Sequence, residues 1–290
     1  MKKILITGEN SYIGNSFLSW MEQYEKDYKI FKIGLRDDTW INKDFSEYDC
    51  IIHLAAIVHK KGKRDYDLYN KINTDLSYKV AMKAKNEGVA QFIYFSSMSV
   101  YGLTTGEINK NTKCKPNTPY GRSKYDAEKK ISSLVDSEFT VAIVRPPMVY
   151  GINSKGNYTK LSRLSKSLKL FPKFNNERSM IYIENLCCFL KILIDFTLGG
   201  TFCPQNKDYV CTYELVNEIA RLSKSKLILL NIFNPTIRLI MPFSLILQKI
   251  LGDLKYEKNL SQITDLDNNI LDYNKVDFKS SIYKSEVPYE

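Results

Sequence analysis

The first half of the chain alternates short apolar runs with segments of helical spacing. The apolar runs lie at residues 3–7, 29–35, 50–55, 91–95 and 140–145. The segments of helical spacing lie between them, at residues 11–24, 68–86 and 120–134. Continuous apolar runs of this length are typical of strands that are buried on both faces. The alternation therefore predicts an α/β fold, in which helices cover both faces of a parallel sheet.

The pattern becomes less regular after Gly151. A helix is predicted at residues 161–170, a short strand at 180–183, and helices at 185–196 and 213–222, the last with Thr212 as its N-cap. The most apolar later stretch, residues 227–251, is interrupted by Asn, Pro, Arg and Lys and is a poor membrane span. It predicts a strand and a buried helix, with weak association with a membrane surface as the alternative.

Composition and charge narrow the classes of function. The net charge is +10, but the lysines are spread along the chain, and the densest basic run, residues 59–64, is interpreted as a solvated loop. No nucleic-acid-binding motif is present. Six cysteines without a CxxC pair and only two histidines predict no metal site. Cysteines scattered in this way suit a reducing cytosol, so we expect a cytoplasmic protein without an integral membrane segment.

A glycine-containing turn joins the first strand to the first helix in "ILITGENSYIGNSF". Gly8 permits a tight turn, and Gly14 allows the helix to pack closely against the sheet. Ser11 stands where a middle glycine is expected in such motifs. The free N–H groups of this turn and helix start are suited to a pyrophosphate, so the segment predicts a Rossmann-type dinucleotide site. Its cofactor-binding residues are Gly8, Asn10, Ser11, Tyr12, Ile13 and Gly14.

The end of the second strand bears on the choice of nicotinamide cofactor. An acidic residue there binds the ribose hydroxyls of NAD, whereas an arginine suits the 2′-phosphate of NADP. In "IGLRDD", Arg36 comes first, and Asp37 and Asp38 follow it. The sequence therefore favours NADP(H), with NAD(H) as the alternative.

A tyrosine and a lysine lie four residues apart in "YGRSK", after the hydroxyl-rich stretch "FSSMSVYG". Residues with this spacing share one face of a helix, so the Lys124 charge is predicted beside the Tyr120 phenol. A free phenol has a pKa of about 10, and a neighbouring positive charge favours its ionised form. The pair is therefore suited to proton transfer.

Together these segments resemble the extended short-chain dehydrogenase/reductases of the epimerase/dehydratase family, which act on nucleotide sugars. The matching segments follow the family's order over roughly residues 1–190, and they are "TGENSYIG", "DCIIHLAA", "FSSMSVYG", "YGRSK", "VRPPMVYG" and "RSMIYIENL". The resemblance implies a doubly wound sheet domain over residues 1–155, with a return segment at about 178–203. It also implies a smaller C-terminal substrate-binding domain formed by residues 156–177 and 204–290.

The resemblance also implies the roles of individual residues. Ser97, Tyr120 and Lys124 match the catalytic hydroxyl, the general acid/base and the lysine that also holds the nicotinamide ribose. Further cofactor contacts are implied for Asp44, Leu54, Ala55, Ala56 and Pro146. Substrate contacts are implied for Asn73, Ser97, Met98, Tyr120, Asn157 and Arg178, although Asn73 is equally well explained as a plain helix residue. His53 lies within a buried strand and is interpreted as a core histidine.

The closest likeness within the family is to small reductases of bacterial capsule and O-antigen pathways. It implies an NAD(P)H-dependent 4-ketoreductase acting on a UDP-linked 4-keto-6-deoxy-N-acetylhexosamine. A UDP-hexose or UDP-N-acetylhexosamine 4-epimerase with tightly bound NAD is the alternative, and a non-catalytic nucleotide-sensing relative is a third. Dehydration is not predicted, because Met98 stands where dehydratases carry an acidic pair. By the same analogy, the helix bearing Tyr120 is expected to pack in a homodimer.

Overall fold

The computed structural model describes residues 1–58, 66–265 and 267–287. The basic run at residues 59–64, interpreted above as a solvated loop, lies outside the described residues. Within them, the strands in chain order are β1 (Lys2–Thr7), β2 (Tyr28–Ile33), β3 (Cys50–His53), β4 (Gln91–Phe95), β5 (Gly106–Ile108), β6 (Thr140–Val144), β7 (Met148–Tyr150), β8 (Leu170–Pro172), β9 (Met180–Tyr182), β10 (Gly200–Phe202), β11 (Ile228–Leu230) and β12 (Leu254–Tyr256).

The α-helices of the same residues lie between or after these strands. They are α1 (Tyr12–Met21), α2 (Tyr66–Tyr69), α3 (Ser77–Asn86), α4 (Pro119–Ser132), α5 (Asn157–Ser167), α6 (Ile183–Asp195), α7 (Thr212–Leu222), α8 (Asn234–Ile240), α9 (Leu245–Leu251) and α10 (Phe278–Glu286). A π-helical segment, Asn70–Leu76, joins α2 to α3. Gly88, with φ of +77°, follows the end of α3 as the sequence predicts.

The main sheet confirms the predicted parallel α/β fold. Its six strands are ordered β10-β6-β4-β3-β1-β2, and every neighbouring pair is parallel. The chain passes from β1 to β2 on one side and then to β3 on the other side of β1. The loops that follow β1 and β3 therefore diverge, and they open a crevice at the carboxyl ends of these strands.

Both faces of the sheet are covered, as continuous apolar strands predict. Successive residues of β3 point to opposite faces, so Ile51 and Ile52 belong to different apolar cores. Helices α3 and α4 cover the Ile51 face through side chains such as Val80 and Ile131. Helices α1 and α6 cover the Ile52 face through side chains such as Phe17, Leu186 and Leu190.

Among the described residues, three short parallel strand pairs lie outside the main sheet, and each includes a strand from the C-terminal part. Strand β8 pairs with β11, β5 with β12, and β7 with β9. The β8–β11 pair, α8 and α9 pack on α7 through a separate apolar core that includes Phe171, Val216, Ile237 and Leu251.

Three predictions for this part are wrong in detail. The helix predicted at residues 161–170 is α5, Asn157–Ser167, because Leu170 pairs with Ile228 in a strand. Thr212 is not an N-cap but the first residue of α7: Asn176 Oδ1 accepts a hydrogen bond from its backbone N at 2.8 Å, and its own hydroxyl donates to the Ile250 carbonyl. Residues 227–251 form β11, α8 and α9, but the two helices are mostly exposed rather than buried.

Candidate active site

The turn after β1 brings the backbone close to the loop after β3. Gly8 has φ of +89°, and a Cβ added there would lie 2.8 Å from the Ala55 nitrogen. The Ser11 hydroxyl caps α1 by accepting a hydrogen bond from the Gly14 nitrogen at 3.2 Å. A Cβ on Gly14 would lie 2.5 Å from that hydroxyl oxygen. Both glycines are therefore required by the local packing, and the Ser11 hydroxyl can still donate its hydrogen.

A cavity of about 1330 Å³ opens at the crevice between β1 and β3. Of the predicted cofactor-binding residues, it is lined by Gly8, Asn10, Ser11, Arg36, Leu54, Ala55 and Ala56. Its size, the free N–H groups at the start of α1 and the absence of side-chain bulk at Gly8 all fit a dinucleotide.

The other predicted cofactor-binding residues lie outside the cavity lining. Tyr12, Ile13 and Gly14 belong to α1 or its packing against the sheet. Asp44 accepts hydrogen bonds from the Ser46 nitrogen and hydroxyl at 2.8 and 2.7 Å, so its carboxylate serves a local turn. Pro146 is buried, and its carbonyl accepts from the Met98 nitrogen at 3.0 Å. Cofactor contacts of these residues stay predictions.

We expect Gly8→Ala to weaken cofactor binding at least tenfold, because the added methyl displaces the Ala55 backbone that borders the cavity. Gly88→Ala is the matched control: Gly88 also has a positive φ, but an added Cβ would meet nothing within 4 Å. Both variants should lose about 1–2 kcal/mol of stability from the left-handed backbone. Titration of NADPH and NADH fluorescence would measure the difference, and equal affinity in both variants would contradict the prediction.

Ser97, Tyr120 and Lys124 converge where β4 and α4 meet. Ser97 directly precedes the 3-10 turn Met98–Tyr101, and its hydroxyl accepts from the Ser99 nitrogen at 3.2 Å. The Ser97 hydroxyl lies near the Tyr120 phenol and favours its ionised form. Lys124 is only 2% exposed, and its Nζ lies 4.7 Å from the centroid of the Tyr94 ring. The structure thus brings the three predicted catalytic residues together, and their roles stay predictions.

The start of α4 explains why these residues meet. Thr118 caps the helix by accepting from the Gly121 nitrogen at 3.0 Å, and Pro119 occupies the first turn, where its missing N–H costs nothing. A Cβ on Gly121 would lie 2.7 Å from the Ser99 carbonyl oxygen. Gly121 therefore lets the first turn of α4 approach the serine turn closely enough for Tyr120 to reach Ser97.

Burial sets the proton affinities of the tyrosine and the lysine. It raises the pKa of Tyr120 to about 12, against the effect of the hydrogen bond with Ser97. It lowers the pKa of Lys124 to about 7, against the attraction of the Glu128 carboxylate. Without a cofactor, the protein therefore keeps the Tyr120 phenol neutral at neutral pH. A positive charge near the phenol, such as an oxidised nicotinamide ring, would be needed to ionise it at neutral pH.

The lowered pKa of Lys124 predicts how stability depends on pH. The folded state loses the lysine proton above about pH 7, whereas the unfolded chain keeps it up to its ordinary pKa of 10.5. Stability should therefore rise between these limits, by at most about 1.4 kcal/mol per pH unit from this group. Lys124→Met should remove that part of the slope, and Lys129→Met, which changes an exposed lysine, should not. Urea unfolding between pH 7 and 9.5 measures both, and equal slopes would contradict the prediction.

His53 is a core histidine, as predicted. It is fully buried, with Nδ1 2.8 Å from the Thr7 hydroxyl and Nε2 2.8 Å from the Ser77 hydroxyl. Burial lowers its pKa to about 3, so the ring is neutral at physiological pH. Within the described residues, no group of three or more His, Cys, Asp or Glu side chains is arranged to hold a metal ion.

Asn73, a predicted substrate contact, is bound to the protein itself. It is fully buried, and its Oδ1 accepts from the Ile57 nitrogen at 2.9 Å. Its Nδ2 donates to the Ile57 carbonyl at 3.0 Å and to the Ser123 hydroxyl at 3.1 Å. Both amide hydrogens are therefore donated within the protein. Asn73 fixes the cavity wall at Ile57 to α4, and its contact with a substrate stays a prediction.

The remaining predicted substrate contacts belong to different elements of the fold. Met98 is partly exposed beside Ser97, and Asn157 is exposed at the first turn of α5. Arg178 lies at an isolated β-bridge, and its Nη1 donates to the Gly252 carbonyl at 2.7 Å. Burial lowers the pKa of its guanidinium, opposed by the Asp253 carboxylate. Substrate contacts of these residues stay predictions.

Sequence reasoning missed two features of the site. Glu9 lines the cavity, and its Oε1 is placed 2.9 Å from a Cβ added to Gly34, directly after β2. The acid in "TGENSYIG" is the signal that could have drawn attention to it. Arg145 forms a bidentate ion pair with Glu128 of α4, in which Nε and Nη2 donate to the two carboxylate oxygens at 2.9 and 2.6 Å. Glu128 lies in α4 and Arg145 follows β6, so no local sequence pattern predicts the pair.

Comparisons with known proteins agree with this architecture. Residues 4–199 match the model of the NAD dependent epimerase/dehydratase family. A UDP-glucose 4-epimerase of Vibrio cholerae is 30% identical over 246 residues, covering 76% of this chain and 75% of the relative. An N-acetyl-alpha-D-glucosaminyl-diphospho-ditrans,octacis-undecaprenol 4-epimerase of Escherichia coli O157:H7 is 24% identical, covering 68% of this chain and 64% of the relative. The structure of a Bacillus cereus UDP-glucuronic acid 4-epimerase in complex with NAD superimposes with a TM-score of 0.73 at 17% identity, covering 98% of this chain and 97% of the other.

Proposed function

Since the chain belongs to the NAD dependent epimerase/dehydratase family, we propose that it exchanges a hydride at C4 of a nucleotide-linked sugar. The observation that carries this proposal is the convergence of Ser97, Tyr120 and buried Lys124 at the start of α4, which Asn73 joins through Ser123 to Ile57 in the wall of the dinucleotide-sized cavity. A bound nicotinamide cofactor supplies or accepts the hydride. The protein then has to bind the sugar, move one proton and exclude other reactions.

Tyr120 is the proton donor and acceptor in this proposal. In the direction of reduction, its hydroxyl gives a proton to the sugar oxygen, and in the direction of oxidation the phenolate removes one. The Ser97 hydroxyl lies near the Tyr120 phenol and is suited to hold the same oxygen. Lys124 lies one helical turn from Tyr120, so its charge stabilises the phenolate whenever the lysine is protonated. The low exposure of Lys124 strengthens this interaction, because little water screens it.

The finer proposal is a 4-ketoreductase acting on a UDP-linked 4-keto-6-deoxy-N-acetylhexosamine. Arg36 lines the cavity, and a guanidinium there suits the 2′-phosphate of NADPH, a common hydride donor in reductions. On the substrate side, Arg178 has donors beyond the one bound to Gly252, and a planar guanidinium suits a diphosphate.

A UDP-hexose or UDP-N-acetylhexosamine 4-epimerase is the second candidate. The Vibrio cholerae and Escherichia coli relatives are both named as 4-epimerases, and the first covers three quarters of this chain. An epimerase uses the same proton donor, but it returns the hydride to the opposite face of the sugar. The two candidates therefore differ in net cofactor consumption rather than in the residues they need.

The deciding experiment mixes purified protein with NADPH or NADH and enzymatically prepared UDP-4-keto-6-deoxy-N-acetylglucosamine. Stoichiometric oxidation of the cofactor, with a reduced sugar as product, supports the ketoreductase. Interconversion of UDP-N-acetylglucosamine and UDP-N-acetylgalactosamine without net oxidation would overturn it in favour of the epimerase. Absence of both activities, with cofactor binding retained, would contradict hydride exchange on these sugars.

Cofactor choice gives a further prediction, because Arg36 and Glu9 oppose each other at the cavity. The Arg36 guanidinium favours a 2′-phosphate, whereas the Glu9 carboxylate beside Gly34 repels it and suits free ribose hydroxyls. We expect Arg36→Ala to weaken NADPH binding about tenfold relative to NADH, and Glu9→Gln to shift the ratio the other way. Fluorescence titration with both cofactors measures the ratio. An unchanged ratio in both variants would show that neither side chain selects the cofactor.

A further inference from the structure

The helices α8 and α9 and the 3-10 turn Met241–Phe243 between them expose an unusual amount of apolar surface. Leu239 is 74% exposed, Phe243 89% and Ile246 70%. Ile232, Phe233, Ile240 and Leu245 in the same segment are exposed as well. We call these seven residues the apolar face. Single exposed apolar side chains are normal on proteins, but seven within the fifteen residues 232–246 mark an interaction surface.

The helices that carry the apolar face are packed on the rest of the protein. Ile237 of α8 and Leu251 of α9 are buried in the core that also contains Phe171 and Val216. Ser244 caps α9 by accepting from the Leu247 nitrogen at 3.3 Å. The inward side of each helix is thus packed on the protein, and the large side chains on the outer side have no function in this core.

Two long segments of the sequence near the apolar face contain lysines and arginines but no acidic residues. Residues 223–252 contain Lys224, Lys226, Arg238 and Lys249, and no aspartate or glutamate. Residues 154–176 likewise contain six lysines and arginines without an acidic residue. Few segments of this length in a chain with 32 acidic residues would lack them by chance, and these two are joined in space.

Hydrogen bonds place the second basic segment beside the apolar face. The Lys173 nitrogen donates to the Leu230 carbonyl at 2.9 Å, and the Asn234 side chain donates to the Lys173 carbonyl at 2.9 Å. The Ile228 nitrogen donates to the Lys169 carbonyl at 2.9 Å. Lys169 and Lys173 are exposed, so they extend the cationic border formed by Arg238 and Lys249.

From this combination we propose that the apolar face docks the protein on an anionic lipid bilayer. Exposed leucine, isoleucine and phenylalanine side chains enter the boundary between headgroups and acyl chains, while lysines and arginines contact the acidic headgroups. The segment lies on the membrane and does not cross it: no helix among the described residues is long and apolar enough to do so. The exposed cations Arg238, Lys249, Lys169 and Lys173 are complementary to an acidic lipid surface, so a bilayer is the occupant proposed.

The proposed docking segment is connected to the predicted substrate side of the active site. Gly252, directly after α9, accepts hydrogen bonds from Arg178 Nη1 at 2.7 Å and from the Asn176 side chain at 3.3 Å. Docking would therefore hold the end of the site that is predicted to bind the sugar diphosphate near the membrane surface. The proposal itself stands on the apolar face and its charges, and it holds whichever sugar reaction the protein catalyses.

The test is flotation of the full chain with vesicles of phosphatidylcholine containing about 30% phosphatidylglycerol, and with vesicles of phosphatidylcholine alone. We expect binding to the anionic vesicles and clearly weaker binding to the neutral ones. Leu239→Ser/Phe243→Ser should weaken binding to the anionic vesicles at least tenfold, because it removes two of the most exposed apolar side chains. Arg238→Gln/Lys249→Gln should weaken it as well, as should high salt.

Val135→Ser is the matched control, since Val135 is 53% exposed but lies after α4, outside the apolar face. It should bind vesicles like the unaltered protein, and thermal melting checks that every variant is folded.

Failure of the unaltered protein to float, or equal binding by the Leu239→Ser/Phe243→Ser variant, would overturn the proposal. Equally strong binding to neutral vesicles would overturn its electrostatic part. A dimer in light scattering that this double variant converts to a monomer, without flotation, would assign the face to a second copy of the chain instead.

Discussion

Tyr120→Phe should lower kcat by about 10³-fold while leaving the binding of the nicotinamide cofactor nearly unchanged. The substitution removes only the hydroxyl near Ser97, so the proton required at the sugar oxygen has no donor. The ring itself remains to pack edge-on against Tyr69, with centroids 6.4 Å apart. The fold should therefore be retained.

Tyr125→Phe provides the control for this prediction. Tyr125 lies on the same helix one turn later, and its ring is 5.0 Å from the Lys129 ammonium rather than at the site. Its activity should match that of the unaltered protein. Kinetic assay of both variants, together with a cofactor titration, separates a loss of proton transfer from a loss of binding. Full activity of Tyr120→Phe would exclude Tyr120 as the general acid/base and would revive the interpretation as a non-catalytic nucleotide-binding relative.

Much of the sheet domain could be predicted because its signals are local. Each long buried strand is a continuous apolar run, and "QFIYF" was predicted with the bounds that β4 has in the structure. The short pairs such as β5 with β12 could not be predicted in this way. Their three residues carry no periodicity, and they become strands only because distant backbone segments lie next to each other.

The candidate site shows the same difference between residues with local sequence signals and residues whose roles depend on distant contacts. Gly8, Tyr120 and Lys124 could be singled out because each belongs to a short motif whose spacing has a physical reason, and Ser97 could be singled out through the resemblance to the family. The role of Asn73 could not be inferred, because it depends on the π-helical segment Asn70–Leu76 and on contacts with Ile57 and Ser123. For residues 227–251 the sequence left a buried helix and association with a membrane surface as alternatives, because the pattern of apolar residues is the same for a core and for a docking surface.

Glu128→Gln should lower the free energy of unfolding by about 3 kcal/mol, because it leaves the Arg145 charge buried without its partner. The Glu128 and Arg145 side chains are only 4% and 14% exposed, and their two hydrogen bonds measure 2.9 and 2.6 Å. Arg145 also donates to the Tyr101 hydroxyl at 2.9 Å. The pair therefore joins α4 to the end of β6 and to the turn that follows Ser97. Loss of the carboxylate should in addition lower the pKa of Lys124 further, since Glu128 opposes the effect of burial there.

Glu218→Gln is the matched control. Glu218 accepts a bidentate pair of hydrogen bonds from Arg221, at 3.0 and 2.6 Å, as Glu128 does from Arg145. The Arg221 side chain, however, is 65% exposed. Water can solvate that guanidinium when the carboxylate is lost, so the cost should stay below about 1 kcal/mol. Urea unfolding of the two variants measures the difference. Equal losses would show that the Glu128–Arg145 pair behaves as a surface pair, whereas a large loss for Glu128→Gln that Glu128→Gln/Arg145→Met partly restores would identify the unpaired buried charge as its cause.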